Sequence, residues 1–277
     1  MTDQKLDGKI LFFSDIDETL VNTDKSLGEE NRLAIHEFLS RGNLFVISTG
    51  RALSGARNLL VDVGLYGLEN LWISSSNGAI VYDTFHAQEL LRHCVPLELM
   101  IEAFDLARAF GIHIQTYTDT SVVSETDNAS LRRYLAIQNL PLELYPNIRD
   151  AKIAPPPKLL CLDFDHPENI TRFRKHFEQQ MKGRMDCFQS NPWLLEIVLP
   201  GVNKGSSLRF ISQKTGIPIQ NTVSAGDAEN DLPMILAAGI GCAMQNADDA
   251  LKAQADYVTM NDNNHGGISE ILHRFCL

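Results

Sequence analysis

The stretch Ile10-Leu11-Phe12-Phe13-Ser14-Asp15-Ile16-Asp17-Glu18-Thr19-Leu20 decides how this chain is read, because an apolar run of strand character ends abruptly in two carboxylates. In an open parallel sheet, ligands bind beyond the carboxyl ends of the strands, so acids placed directly after a first strand lie where chemistry usually occurs. An aspartate at such a turn also serves simply to cap the next helix or to hold turn amides. Taken alone, the segment leaves both readings open, and the rest of the chain has to separate them.

Working outward, strand-like and helix-period segments alternate through the first third of the sequence, the signature of a parallel sheet with crossover helices. Residues 10–13 are followed by a helical stretch over 29–40, a strand at 44–47, a helix near 53–63 and a strand at 71–73. The same rhythm returns late, with strands expected at 222–224, 239–243 and 257–259 and a short helix ending near Ala238. These portions read as two halves of one α/β, Rossmann-like, doubly wound sheet, covering residues 1–83 and 193–277. Between them, over 84–192, the pattern changes to helices at 97–110, 129–138 and 167–181, with strands at 112–117, 121–125, 159–164 and 185–189. That is an α+β module of mainly antiparallel character inserted into the first domain, and an insert near the carboxyl edge of a sheet usually acts as a cap.

The 277 residues are 44% hydrophobic and 21% charged, an ordinary composition for a globular protein with room for two cores. No apolar stretch reaches membrane-spanning length, and Met1–Lys9 lacks the apolar core of a secretory signal, so a cytoplasmic location is expected. The net charge of -11 argues against nucleic acid or an anionic membrane as the partner, since both demand a basic footprint. A small phosphorylated substrate stays compatible, because a bound divalent cation can invert the local field. The five cysteines, Cys94, Cys161, Cys187, Cys242 and Cys276, are scattered without a Cys-x-x-Cys pair and read as reduced packing residues.

Four motifs fall at expected strand ends: Asp15-x-Asp17-x-Thr19, Ser48-Thr49-Gly50-Arg51, Asn203-Lys204-Gly205 and Gly226-Asp227-x-x-Asn230-Asp231. With these four in this order, the chain resembles the haloacid dehalogenase superfamily of phosphohydrolases, specifically its Cof-type members with a large type IIB α/β cap between the second and third motifs. The resemblance extends over essentially the whole chain, strong in the core motifs and architectural in the cap. It implies a magnesium-dependent phosphatase acting on a small phosphorylated metabolite, with sugar phosphates first among the candidates.

The chemistry each piece would supply can be stated physically. Phosphoryl transfer needs a positioned nucleophile, positive charge on the non-bridging oxygens and a proton donor for the leaving oxygen. Asp15 is the candidate nucleophile, forming an aspartyl-phosphate, and Asp17 the candidate general acid and base, as the resemblance also implies. That division of labour asks for an Asp17 pKa above that of Asp15, which crowding by a second carboxylate favours and a nearby metal opposes. Asp227 and Asp231 bring the cluster to four acids, costly to ionise together without a cation. With no His or Cys cluster in the motifs, magnesium is the natural choice. The resemblance implies the Asp15 carboxylate, the Asp17 backbone carbonyl and Asp227 as direct ligands, with Asp231 close behind or acting through water. Lys204 supplies a compact cation for Asp15 and a phosphate oxygen. Thr49 and the Gly50 amide, expected at the start of a helix, are the phosphate-binding candidates, with Ser48 as the neighbouring alternative and Asn230 as a further contact to phosphate or to a metal-bound water. Thr19 is expected to secure the first turn.

One departure from the family pattern is Glu18, where glycine is common, which bears on the shape of the turn and little on the reaction. His265, in the loop 261–267, reads as a surface residue, and Asn77, in Asn77-Gly78-Ala79, either faces the crevice or makes a tight turn. Tyr117, Arg132 and Trp193 are candidates for lining a pocket in the inserted module. Two other functions fit the same motifs: a phosphomutase, which would depend on a bisphosphate activator, and a non-catalytic phosphate- or metal-binding protein, whose usual mark would be loss of Asp15, Asp17 or Lys204. All three residues are present.

Overall fold

In the computed structural model, residues 5–138 and 140–277 are described; Met1–Gln4, part of the opening segment read above for a signal, and Asn139 lie outside them. The apolar run before Asp15 forms β1 (Leu11–Ser14), whose four residues are all buried, as expected of a strand covered on both faces. The alternation continues through α1 (Glu29–Ser40), β2 (Leu44–Ser48), α2 (Leu53–Asp62) and β3 (Leu71–Ser75), then turns back in β4 (Ile80–Asp83) and β5 (Gln88–Arg92). The middle of the chain supplies α3 (Leu97–Phe110), β6 (His113–Tyr117), β7 (Val122–Ser124), α4 (Ala129–Gln138) and β8 (Leu142–Leu144). It continues with β9 (Leu159–Leu162), α5 (Pro167–Gln180), β10 (Asp186–Asn191) and β11 (Leu194–Val198). The last third forms α6 (Lys204–Thr215), β12 (Thr222–Gly226), α7 (Leu232–Ala237), β13 (Ile240–Ala243), α8 (Asp249–Lys252), β14 (Tyr257–Val258) and α9 (Gly267–Phe275).

The chain divides into two compact units. The first comprises the chain through Arg51, Ala56–Leu91 and Asn203–Leu277; the second comprises Ala52–Gly55 and Arg92–Val202. In the first, eight strands run in the order β14-β13-β12-β1-β2-β3-β4-β5. The pairs from β14 to β3 are parallel, and β4 returns antiparallel to β3. Side chains alternate across β1, so that Phe12 stacks on Phe45 with ring centroids 5.1 Å apart and meets Phe38 of α1 edge-on. Phe13 faces the opposite layer and packs with Leu208 and Ile211 of α6. Helices therefore cover both faces, the doubly wound arrangement expected from the alternating pattern.

The second unit holds a six-stranded sheet, β10-β11-β9-β6-β7-β8, antiparallel except for β7 beside β8. Its apolar layer is filled by Phe104 of α3 and by Phe173 and Phe177 of α5 over Ile114, Cys161 and Leu195. Two strands lie beyond the 84 and 192 boundaries read from the sequence. β5 extends the first sheet, because the β4–β5 connection turns straight back onto the sheet edge. β11 lies in the second sheet, where it pairs antiparallel to both β9 and β10. Among the described residues, no helix is long and apolar enough to cross a membrane.

Candidate active site

Strand order creates the site. β1 lies between β2 and β12, so the chain leaves β1 in one direction and later extends from β12 in the other, a topological switch point. Ser14 is in register with Ala225, and the amide of Asp15 donates to the Ala225 carbonyl at 3.0 Å. Asp15 and Asp227 thus stand one residue past the ends of adjacent parallel strands, at the carboxyl edge where the sheet divides.

Lys204 joins them. A reciprocal capping box between Asn203 and Ser206 starts α6 at Lys204, and the side chain of this first helical residue is fully buried. A cation is poorly placed at a helix N-terminus, where the peptide dipole is positive, so other groups must offset that cost. Two do: Nζ donates to Asp15 Oδ1 at 2.6 Å and to Asp231 Oδ1 at 2.5 Å. Burial by itself would lower the lysine, but the two carboxylates hold it above the ordinary lysine range.

Asp231 is fully buried and shared: its Oδ2 accepts from the amides of Asp227 and Ala228 at 2.9 and 3.0 Å. Gly226 makes room for this carboxylate, since a Cβ there would lie 2.5 Å from Asp231 Cβ and Cγ. The side chain of Asp227 is held by Thr19, whose hydroxyl donates to Oδ1 at 2.6 Å. Oxygens of Asp15, Asp227 and Asp231 lie within 4.8 Å of one another. Burial, assisted by the Asp231 charge, pushes Asp15 up to about 7 even against Lys204. Burial with the charges of Asp231 and Asp15 pushes Asp227 up to about 8. A single lysine does not neutralise three acids, and an all-oxygen donor set with excess negative charge fits a hard divalent cation.

Asp17 occupies a different environment. Arg51 grips both its oxygens, through Nε at 2.8 Å and Nη2 at 2.7 Å, and Lys25 adds an ion pair at 3.0 Å. Although burial acts in the opposite sense, these two cations hold Asp17 down to about 2. The expected order of the two acids is therefore reversed here: Asp15 is the weaker acid because it is buried among carboxylates, and Asp17 the stronger because it is bound to cations. The turn that follows Asp17 is made by Glu18 in the left-handed region, at φ 56° and ψ 15°. Its carbonyl accepts from Asn246 and its carboxylate from Thr23 and Asn263, which secures a conformation that glycine adopts without help.

Around the second motif, the Thr49 amide donates to the Ser74 carbonyl at 2.8 Å, and its carbonyl accepts from Asn77. Its hydroxyl accepts from the Arg51 amide at 3.1 Å and keeps its proton to donate elsewhere. The helix α2 begins at Leu53, as read from the sequence, and Thr49 and Gly50 lie just before it, with the Thr49 amide continuing the sheet ladder. Asn230 donates to Asn77 Oδ1 at 3.1 Å. Asn77 itself has positive φ, and the following Gly78, at φ +94°, leaves no space for a Cβ, which would fall 2.4 Å from the Asn203 carbonyl oxygen. The Asn77-Gly78 pattern thus serves a tight turn against the start of α6. His265 is an exposed loop residue bonded to Asp262. Of the pocket candidates in the second unit, Tyr117 is buried and bonded to Tyr134 and Gln115. Arg132 is exposed and paired with Asp127, and Trp193 stacks on Phe164 at 4.0 Å.

Two residues of this site carry no sign of their role in the sequence. Arg51 is legible only as the last letter of the second motif, and nothing near Lys25 marks it as a partner of Asp17.

Residues 12–272 match a family model described as haloacid dehalogenase-like hydrolase. The chain is 29% identical over 265 residues to 5-amino-6-(5-phospho-D-ribitylamino)uracil phosphatase YcsE of Bacillus subtilis, covering 95% of this chain and 94% of the relative. It is 28% identical over 268 residues to pyridoxal phosphate phosphatase YbhA of Escherichia coli, with 94% and 96% covered. Among solved structures, a Thermotoga maritima protein superimposes with a TM-score of 0.81 at 31% identity over 98% of both chains. A haloacid dehalogenase-like hydrolase from Bacteroides thetaiotaomicron gives 0.85 at 25% identity, over 96% of this chain and 99% of the other.

Proposed function

The chain belongs to the haloacid dehalogenase-like hydrolases, and from that premise we propose that it is a magnesium-dependent phosphatase that removes phosphate from a small metabolite, a sugar phosphate first of all, through an aspartyl-phosphate on Asp15. The observation that carries the reading is the Lys204 ammonium held between Asp15 and Asp231, with Asp227 beside them and Asp17 two residues along on separate partners. Relatives named for a phosphoribityl compound and for pyridoxal phosphate support small phosphorylated metabolites as the substrate class.

In this reading an oxygen of Asp15 attacks phosphorus, the bond from phosphorus to the leaving oxygen breaks, and Asp17 gives its proton to that oxygen. Asp17 then takes a proton from the water that attacks the aspartyl-phosphate, releasing inorganic phosphate and restoring Asp15. Asp15, Asp227 and the Asp17 backbone carbonyl would hold the magnesium ion, with Asp231 supporting from behind through Lys204 and the Asp227 amide. When bound, the ion supplies positive charge against the carboxylates and the non-bridging phosphate oxygens. Lys204 screens nucleophile from substrate, while the Thr49 hydroxyl, the Gly50 amide and Asn230 receive the phosphoryl group. For Asp17 to carry a proton it must leave Arg51 and Lys25, and an incoming phosphate dianion offers both cations another partner. The inserted module, read as 84–192 from the sequence, is assigned the selection of the leaving group.

Phosphate release from a panel of phosphorylated metabolites, with magnesium or with a chelator, tests the proposal. Asp15→Asn and Asp17→Asn should each lose at least roughly a hundredfold in rate, on the scale of removing a general acid or nucleophile. Undiminished turnover by Asp15→Asn, or indifference to chelation, rules the mechanism out.

A further inference from the structure

Thr19 carries no part of the chemistry above, yet it is fully buried and its hydroxyl donates to Asp227 Oδ1 at 2.6 Å. The backbone of Asp227 is already fixed, its amide on Asp231 Oδ2 and its carbonyl accepting from the Asp248 amide. Its side chain is not fixed by those bonds. Among the described residues, Thr19 makes the one hydrogen bond to the Asp227 carboxylate. With Oδ1 committed to that charge-assisted bond, the rotation of the carboxyl group is set and the second oxygen is left for a cation. Thr19 directly follows the Glu18 turn, whose left-handed backbone is held by three contacts.

We propose that Thr19 is a positioning residue for the divalent cation, holding Asp227 in the rotamer that ligates it. The inference rests on the metal-dependent reading above. Partners that orient a ligand from behind are worth about 10–100-fold in metal affinity. A hydroxyl that served folding alone would change stability and leave metal affinity where it was.

The test measures Mn2+ binding to the substrate-free protein by electron paramagnetic resonance, in the unaltered chain and in Thr19→Val, Thr19→Ala and Thr19→Ser. Valine keeps the branched shape without the donor, alanine removes both if valine misfolds, and serine keeps the donor. The valine or alanine chain should bind Mn2+ about 10–100-fold more weakly, with serine restored to within about threefold of the original. The Mg2+ concentration for half-maximal phosphate release should rise by the same factor, while kcat at saturating Mg2+ stays near its original value. Folded valine or alanine chains that bind Mn2+ within about twofold of the original, or a serine chain as weak as valine, overturn the assignment. No Mn2+ binding by the unaltered protein overturns the metal reading itself, and this inference with it.

Discussion

Replacing Lys204 by methionine removes the cation that Asp15 and Asp231 share while keeping most of the buried side-chain volume. The consequence follows from geometry. The ammonium is fully buried and lies 2.6 and 2.5 Å from two carboxylates, one of which, on Asp231, is itself fully buried. Taking one partner from a buried pair typically costs about 3–5 kcal/mol, because the orphaned charge stays out of water. At roughly 2–4 °C per kcal/mol for a chain of this size, metal-free Lys204→Met should melt on the order of 10 °C lower at pH 8. Protonation relieves the strain. Asp15, already pushed up to about 7 with Lys204 present, moves further up without it, so the deficit should shrink as pH falls toward about 5.5. Magnesium should recover part of the loss at pH 8 by replacing one cation with another. Phosphate release should fall by about a hundredfold or more, the scale of losing one preorganised electrostatic contact to the transition state. Differential scanning fluorimetry at the two pH values, with and without Mg2+, gives the answer. A Lys204→Met chain whose melting temperature matches the original at pH 8 would refute the argument that this lysine neutralises buried acid.

The metal-free protein itself should lose stability as pH rises. Asp15 and Asp227 have folded pKa values of about 7 and about 8 against an ordinary 3.8, so their contribution is complete below 3.8 and is lost as pH climbs through the folded values. A cation binds the ionised forms, so the rise in melting temperature on adding Mg2+ should be larger at pH 8 than at pH 6, and calorimetry in two buffers should detect proton release near pH 7. An equal or larger Mg2+ effect at pH 6 would contradict this assignment of the titrating groups. Gly226→Ala should disturb the site without replacing a charged residue. Its Cβ would fall 2.5–2.6 Å from the Asp231 side chain, forcing Asp231 off Lys204 and off the Asp227 amide. Phosphate release should then drop by at least about tenfold, with about 1–3 kcal/mol lost from overpacking, as read by steady-state assay and thermal melt.

The parts of the site that sequence displays are those tied to a repeating local pattern. Asp15 and Asp227 each follow a short buried strand, and Lys204 follows a capping asparagine, so strand ends and a helix start announce them. Arg51 binds Asp17 across 34 positions of chain, and that pairing depends on β1 and β2 being neighbours, which no local spacing encodes. Lys25 reaches Asp17 only because of the left-handed turn at Glu18 and its own positive φ of 68°. The pKa order expected from the motifs is reversed in the metal-free site for the same reason: crowding by acids is visible in them, whereas the cations that dominate Asp17 are not. In the fold, β11 reads as Leu-Leu-Glu-Ile-Val, an apolar run that suits either sheet, and only its two antiparallel neighbours decide. The partly exposed β5 and the three-residue β8 give too weak a period to announce a strand.

The glutamate at position 18 links these observations. A non-glycine residue in the left-handed region costs on the order of 1 kcal/mol, so a side chain there persists only where its surroundings hold it. Glu18 is held by Asn246 on its carbonyl and by Thr23 and Asn263 on its carboxylate, and the same carboxylate lies 3.5 Å from the Lys25 ammonium. Lys25 in turn pairs with Asp17, and Asn263 also donates to the Val21 carbonyl at 3.0 Å. What glycine would supply as backbone freedom is supplied here by side-chain contacts that run from the proposed acid to the 261–267 loop. The position of Asp17, and of Thr19 on the far side of the turn, is therefore set partly by Asn246 and Asn263, 228 and 245 positions along the chain from Glu18. That leaves the first motif short in sequence and dependent on both ends of the chain.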